Sequence, residues 1–413
     1  MFDEWRRAIP ASRSTNTRGK AVNLKAKTAI VGLGVTPQGK VYGRNHVGFA
    51  VEAIRLALAD AGLERDEVDG LLVNPGISWA DQGMGSFLLQ QAMGLHNLRL
   101  TASMSLGGAT AIAMIQQAAE AIAAGVCTTV ACVFSDAPLK PPKPASAGGG
   151  KSNGSASAYA FGRGLDAAYG MFGVNALYAM VAQRHMHLYG TSNDHLGAVA
   201  VAERQWANRN PAAQFHGQPM TMGDYHESRW VVEPFHLFDC CLVSNGGVAV
   251  IVTSAERAAN LRRPPVYLWG MGQGHPGGDP LETLTSGAAL AKETAFSMAD
   301  VTLRDIDVVE LYDCYTFTVL VCLEDYGFCK KGEGGPFIAD GKLGPGGSLP
   351  VNTGGGQLSS FYMWGMTPVS EAVIQMRGDG GERQVKNARR ALVSGNGGIL
   401  STHSTLVLSA DER

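Results

Sequence analysis

Short apolar runs alternate along this chain with longer stretches in which apolar residues recur every three or four positions, the period of a helix face. Thr28-Ala-Ile-Val-Gly-Leu-Gly34 reads as a strand, and a helix follows from about Val47 with Val51, Ile54, Leu58 and Ala61 on one side. A polar turn, Gly62-Leu-Glu-Arg-Asp-Glu-Val-Asp69, leads to the strand-like Gly70-Leu-Leu-Val73. The same order returns later, as a strand at Pro265–Gly270, a helix at about Leu284–Ala299, a polar turn at Val301–Asp307 and a strand at Val308–Leu311. Gly107–Glu120 is built of small and apolar residues, predicts a helix buried on all sides, and precedes the strand Thr128–Phe134. Its counterpart is a helix at Thr367–Gln375, with strands at Ala391–Ser394 and Thr405–Leu408 beyond it. Strand–helix alternation given twice in one order predicts an α/β fold made by duplication, with two similar sheets.

Lys140-Pro-Pro-Lys143 and Ala145–Ser157 break this pattern, being rich in Pro, Gly, Ser and Lys. They predict a long loop that runs into helices at Val174–Tyr189 and His195–Ala207. The chain thus divides into an arm at 1–26, a first half at 27–260 containing a loop region at about 136–235, and a second half at 261–413.

Composition narrows the function. A net charge of -2 gives no reason to expect nucleic acid or an anionic membrane as partner. No apolar run reaches the roughly 18 residues of a membrane span. The arm is basic but holds Asp3 and Glu4 and lacks the apolar core of a secretory signal. Seven cysteines, an odd number placed mostly inside apolar runs with no CxxC pair, argue against a disulfide framework or a structural zinc site and for a reducing cytoplasm. His185 and His187 stand two apart and share no helix face, so no metal site is expected. The 53 glycines cluster beside strand-like runs, which suggests tight turns and close backbone approach around a ligand.

Four stretches carry candidate chemistry: Ser105-Leu-Gly-Gly-Ala-Thr-Ala111, Val309-Glu-Leu-Tyr-Asp-Cys-Tyr-Thr316, Val351-Asn-Thr-Gly-Gly-Gly-Gln-Leu-Ser-Ser-Phe-Tyr362 and Ser394-Gly-Asn-Gly-Gly-Ile-Leu-Ser401. With them the chain resembles the thiolase superfamily from about 27 to 413, and most of all the branch of sterol carrier protein X thiolases and lipid-transfer-protein-type steroid side-chain aldolases. The resemblance implies a duplicated five-layer αβαβα thiolase fold with two mixed sheets and an inserted loop region. Ser105 stands where thiolases of the branch carry a nucleophilic Cys, Tyr312 and Tyr362 where they carry His, and the last loop holds no Cys. The scaffold motifs persist while the acyl-transfer residues do not, and the steroid side-chain aldolases are similar in having these two tyrosines.

Claisen chemistry needs a covalent acyl carrier, whereas retro-aldol cleavage of a β-hydroxyacyl-CoA does not. The resemblance therefore implies a carbon–carbon lyase that releases a ketone or aldehyde and a shorter acyl-CoA, with a steroid side chain as a candidate substrate. Tyr312 and Tyr362 are the candidate acid and base, with the roles unassigned between them. Burial alone raises a tyrosine's pKa, so donors to the phenolate are needed. Ser105, Gly355, Gly356, Gly397 and Gly398 are candidates for the pocket and its oxyanion donors. Ser105 reads equally as a helix cap, and Asp313 as a cap of the helix after it. Lys140, Lys143 and Lys151 are weak candidates for the CoA phosphates. Coenzyme A enters only as part of the substrate, with no resident cofactor. A homodimer and a small zinc-ribbon/OB-fold acyl-CoA-binding partner are implied by the resemblance. Two alternatives stay open, a degenerate acyltransferase using Ser105 or another carrier and a non-catalytic acyl-CoA-binding subunit.

Overall fold

The computed structural model describes residues 23–79, 83–142, 173–277 and 279–413. Lys143, Lys151 and all of the arm before Asn23 lie outside them. In chain order the main elements are β1 (Thr28–Val35), α1 (His46–Ala61), β2 (Gly70–Pro75), α2 (Gly85–Met93), β3 (Leu100–Ser103), α3 (Thr110–Ala123), β4 (Thr129–Asp136), α4 (Gly173–Tyr189) and α5 (Asn193–Ala207). A small hairpin follows, β5 (Trp230–Val232) and β6 (Phe235–His236), then β7 (Gly246–Ser254), β8 (Val266–Gly274), α6 (Ala288–Ala299) and β9 (Val308–Glu310). The chain closes with α7 (Thr316–Tyr326), α8 (Met366–Arg377), β10 (Arg390–Gly397) and β11 (Thr402–Ser409).

The duplication is visible strand by strand. The sheet order is β3-β2-β4-β7-β1-β8-β11-β10-β9, so β1 matches β8, β7 matches β11, β4 matches β10 and β2 matches β9. The counterpart of β3 has shrunk to a single parallel bridge between Val309 and Val351. The polar turns predicted twice are both short 3-10 turns closed by a capping box, in which Glu64 N–H donates to Glu67 at 2.7 Å and Thr302 N–H to Asp305 at 2.8 Å. The halves were expected as separate sheets. Instead Ala29 pairs with Tyr267 and Ile30 with Val266, which joins them into one mixed nine-stranded sheet. The pairing satisfies backbone groups that two abutting edges would otherwise leave open.

Helices α3 and α8 form the central layer and pack on strands of both halves. Gln116 of α3 donates to Gly272 O and Thr405 O, both at 3.0 Å, in the second half. Arg377 of α8 reaches back to Asp60 at 2.7 Å and Val31 O at 2.9 Å. Helices α1 and α6 cover the outer faces, and glycines let them come close. A Cβ on Gly34 would stand 2.0 Å from Ala53 O, and one on Gly270 2.0 Å from Ala295 O. Part of the glycine excess therefore serves helix–strand contact, repeated in each half, rather than a ligand.

Candidate active site

Strand β9 ends at Glu310, and the chain crosses the end of the sheet as Leu311–Tyr315 before α7 begins. Thr318 Oγ1 ties this crossing down at Tyr315 O, 2.7 Å, and Tyr312 O, 3.1 Å. Side chains of the crossing segment divide between two environments. Asp313 accepts from Gln357 N–H at 2.6 Å and Leu358 N–H at 3.1 Å. It therefore caps the π-turn Gly356–Ser360 and not the helix that comes after it in sequence, as had been expected. The turn needs glycine at 356, where φ is +58° and a Cβ would stand 2.2 Å from Asp313 Oδ2 and 2.4 Å from Glu203 Oε2. Beyond the turn, Tyr362 N–H donates to Ser244 Oγ at 3.1 Å. The two tyrosines, fifty residues apart, meet through their hydroxyls at 3.0 Å.

They share a cavity of about 400 Å³. Tyr178, Tyr315 and Trp364 supply aromatic wall, Cys241 and Cys314 thiols, and Gly107–Gly108 and Asn396–Gly398 two backbone loops. Helix α4 contributes Val174, Asn175 and Tyr178, and Asn175 accepts a hydrogen bond from the Tyr315 hydroxyl. Phe235 stacks on Tyr315 with ring centroids 4.9 Å apart. Gly108 makes the site possible. A Cβ there would stand 2.2 Å from Tyr312 Cζ and 2.4 Å from Asn396 O.

Of the residues singled out from sequence, Tyr312, Tyr362, Gly397 and Gly398 come together in this cavity. Ser105 does not: it is exposed and takes no part in the lining, which begins two residues later at Gly107. Gly355 and Gly356 do not either. The Gly355 N–H donates to Asn352 O at 2.8 Å, and Gly356 packs against the Asp313 and Glu203 carboxyls. Lys140 is exposed and stands outside the lining. Sequence reasoning missed Gly108, Tyr178, Trp364 and Asn396. Gly108 and Asn396 lay inside quoted motifs, but only the fold shows that their surroundings converge.

Burial sets the protonation of the site. It pushes Tyr312 and Tyr362 well above the usual tyrosine value, with Tyr362 and Cys314 adding to the rise at Tyr312. Cys241 and Cys314 are raised by burial as well, and Cys240 is pushed up to about 12. These thiols stay protonated and are poor nucleophiles. Behind the wall, burial lifts Asp313 to about 6 and Glu203 well above the carboxylate range, the latter also by its acidic neighbour. His403, at the start of β11, is bonded through Nε2 to Tyr326 and Ser394, both at 2.9 Å, and burial lowers it to about 3. Among the described residues no histidine lines the cavity, no group of three acidic, His or Cys side chains is set to hold a metal ion, and no helix is long and apolar enough to cross a membrane. What remains is a pair of neutral, mutually bonded phenols in an aromatic cavity, suited to moving a proton without a covalent carrier.

Comparison with known proteins agrees with this geometry. Residues 279–410 match the family model "Thiolase C-terminal domain-like". The chain is 36% identical to a steroid side-chain-cleaving aldolase of Thermomonospora curvata, over 94% of this chain and 99% of that protein. It is also 36% identical to the 17-hydroxy-3-oxo-4-pregnene-20-carboxyl-CoA lyase of Mycobacterium tuberculosis, over 86% and 92%. Among solved structures it resembles the Ltp2-ChsH2(DUF35) aldolase, with a TM-score of 0.83, 36% identity, and coverage of 94% of this chain and 99% of that one.

Proposed function

The chain belongs to the thiolase superfamily, in the branch of the sterol-carrier-protein thiolases and steroid side-chain aldolases, and on that premise we propose that it is a carbon–carbon lyase cleaving a β-hydroxyacyl-CoA by a retro-aldol reaction. The observation that carries the reading is the Tyr312–Tyr362 hydroxyl pair at 3.0 Å, in a cavity lined by no imidazole among the described residues and by no thiol low enough in pKa to serve as acyl carrier.

Tyr362 is part-exposed and Tyr312 is buried, so Tyr362 meets the substrate's β-hydroxyl and Tyr312 donates to it. Tyr362 reacts as its phenolate, held by the hydrogen bond from Tyr312, and takes the hydroxyl proton to become the neutral phenol. The oxygen's electron pair forms the new carbonyl, the Cα–Cβ bond breaks, and its electrons pass into the enolate of the shorter acyl-CoA. That charge rests on the thioester oxygen beside the Gly107–Gly108 and Gly397–Gly398 loops. A proton from the pair then returns to Cα, leaving a ketone or aldehyde and the shorter thioester. Every atom of coenzyme A stays in the products, so the reaction needs neither free CoA nor a resident cofactor.

The substrate is a bulky β-hydroxyacyl thioester of the steroid side-chain kind on which the relatives act. A small zinc-ribbon/OB-fold protein assists binding, in line with the DUF35 protein in the related solved aldolase. Lys140, with Lys143 and Lys151, remains the candidate contact for the CoA phosphates. The chain dimerises along β3, which ends the sheet, where α2 exposes Phe87 and Leu88. Ser105 lies outside the cavity lining, which argues against it as the carrier in the acyltransferase alternative. Intact-mass measurement after incubation with substrate separates the readings: the lyase gains no acyl mass, and a gain of one acyl group would restore the acyltransferase.

A further inference from the structure

Behind the phenol pair lie two buried carboxyls that the reaction does not use. Asp313 follows Tyr312 in the chain, and Glu203 belongs to α5. They are 0% and 2% exposed, and Asp313 Oδ2 and Glu203 Oε2 both come within 2.4 Å of the point where a Cβ on Gly356 would stand. Among the described residues neither forms an ion pair, and Arg383 is taken by Glu371 at 2.9 Å. With both ionised, Glu203 Oε2 and Asp313 Oδ1 are left without a partner. Two bare carboxylates this close in a water-poor interior are strongly disfavoured, and one proton between them removes the repulsion and supplies the missing bond. The proton sits on Glu203, whose carboxyl is raised by burial and then by the Asp313 charge, and it is donated to Asp313.

Each end of this pair leads to one tyrosine. Asp313 Oδ2 accepts from the Gln357 and Leu358 N–H groups at 2.6 and 3.1 Å, in the turn that ends two residues before Tyr362. Glu203 Oε1 accepts from Asn352 Nδ2 at 2.7 Å, and Asn352 Oδ1 accepts from the Leu311 N–H at 2.7 Å, directly before Tyr312. One run of hydrogen bonds, from Leu311 through Asn352, Glu203 and Asp313 to the turn, thus ties together the two backbone segments that carry the phenols. Proton transfer between groups held this way is sensitive to displacements of an ångström or less.

We infer that Glu203 and Asp313, sharing one proton, are positioning residues that set the 3.0 Å separation of the Tyr312 and Tyr362 hydroxyls. The inference rests on the lyase reading, in which that separation lets one phenol steady the other. The shared proton stays between the carboxyls throughout and takes no part in the cleavage. The competing role is packing alone. Arg204 holds Ser359 Oγ at 3.0 Å and the Gln214 N–H holds Ser360 O at 3.0 Å, so on that view the turn keeps its place without the pair.

NMR of the full chain labelled with 13Cζ-tyrosine tests this without substrate, in the unaltered protein, Glu203→Gln and Glu203→Leu. The Tyr312 and Tyr362 signals are identified by their loss in the Tyr→Phe variants, and Tyr326, bonded to His403 at 2.9 Å, is the internal control. Glutamine still donates to Asp313, so both signals stay in place and kcat on a β-hydroxyacyl-CoA stays within threefold. Leucine cannot donate, so both signals move while that of Tyr326 does not, and kcat falls by about 10²-fold with KM little changed. Glu203→Ala replaces the leucine variant if that one does not fold. Infrared difference spectra between the unaltered and Glu203→Gln proteins at pH 7 show the carbonyl band of a protonated carboxylic acid, and its absence overturns the shared proton. Unmoved Tyr312 and Tyr362 signals with turnover within threefold in the leucine or alanine variant overturn the positioning role and leave the lyase reading standing. Equal losses with glutamine and leucine do the same. An unaltered protein that shows the spectral pattern but cleaves no β-hydroxyacyl-CoA removes the lyase reading and leaves the hydrogen-bonded clamp in place.

Discussion

Replacing Tyr362 by Phe removes one hydroxyl from a pair bonded at 3.0 Å. The ring still fills its place, but the buried Tyr312 hydroxyl loses its partner, which costs about 1–3 kcal/mol of stability. Tyr312→Phe costs less, because the Tyr362 hydroxyl it leaves behind is part-exposed and turns to solvent. Removing both hydroxyls leaves nothing unsatisfied, so the double variant is expected to be at least as stable as either single one. Activity obeys a different pattern. General acid–base catalysis contributes about 10²–10⁴-fold, or about 3–5 kcal/mol of barrier, so each single variant falls by that factor. Because one phenol acts only with the other's help, the double variant falls by about the same factor and not by the product of two losses. Release of shorter acyl-CoA gives kcat/KM for the four proteins, and urea unfolding gives their stabilities. Turnover within threefold of the unaltered protein in either single variant refutes the reasoning. Strictly multiplicative losses would refute the shared proton even if both residues mattered.

Gly108→Ala places a methyl 2.2 Å from Tyr312 Cζ and 2.4 Å from the Asn396 carbonyl, so it should displace the phenol and abolish most cleavage, measured in the same assay. Ser105→Ala should leave kcat within twofold, since Ser105 is exposed and outside the cavity lining; a loss beyond tenfold would return it to the chemistry. Both tyrosines lie above the usual value, so the phenolate fraction grows as pH rises and log kcat should climb between pH 7 and 9 by about one unit per pH unit. A flat profile would contradict a phenolate base. Burial lowers His403 from 6.5 to about 3, so its contribution to stability is full above pH 6.5 and is lost as pH falls toward 3, by about 1.4 kcal/mol per unit at most. His403→Gln should flatten that acid limb in urea unfolding between pH 7 and 4.

The duplicated architecture was legible because each half repeats one local grammar. Strand, helix, capped polar turn and strand recur with the apolar period of each element, and a capping box such as Thr302 with Asp305 is a local signal. The junction of the halves was not legible, since two backbone pairs between β1 and β8 leave no mark on residue type. The tyrosine pair was reached through motif positions, and the fold brought those positions together. The glycine motifs misled in part. Gly355 and Gly356 read like donors to a ligand, yet Gly356 makes room for the buried carboxyls of Glu203 and Asp313. Sequence shows that backbone must pass closely there but not what it passes. Asp313 failed for the same reason: the nearest helix start lay three residues on, while the N–H groups it caps lay forty-four and forty-five residues away.

The most direct test of the central claim is a product assay with and without free coenzyme A. The protein, with a zinc-ribbon/OB-fold partner, is given a tertiary β-hydroxyacyl-CoA. The account predicts a ketone and a shorter acyl-CoA in equal amounts, at a rate that free CoA does not raise. Cleavage only of a β-ketoacyl-CoA, and only when free CoA is supplied, would contradict it and return the chain to thiolysis.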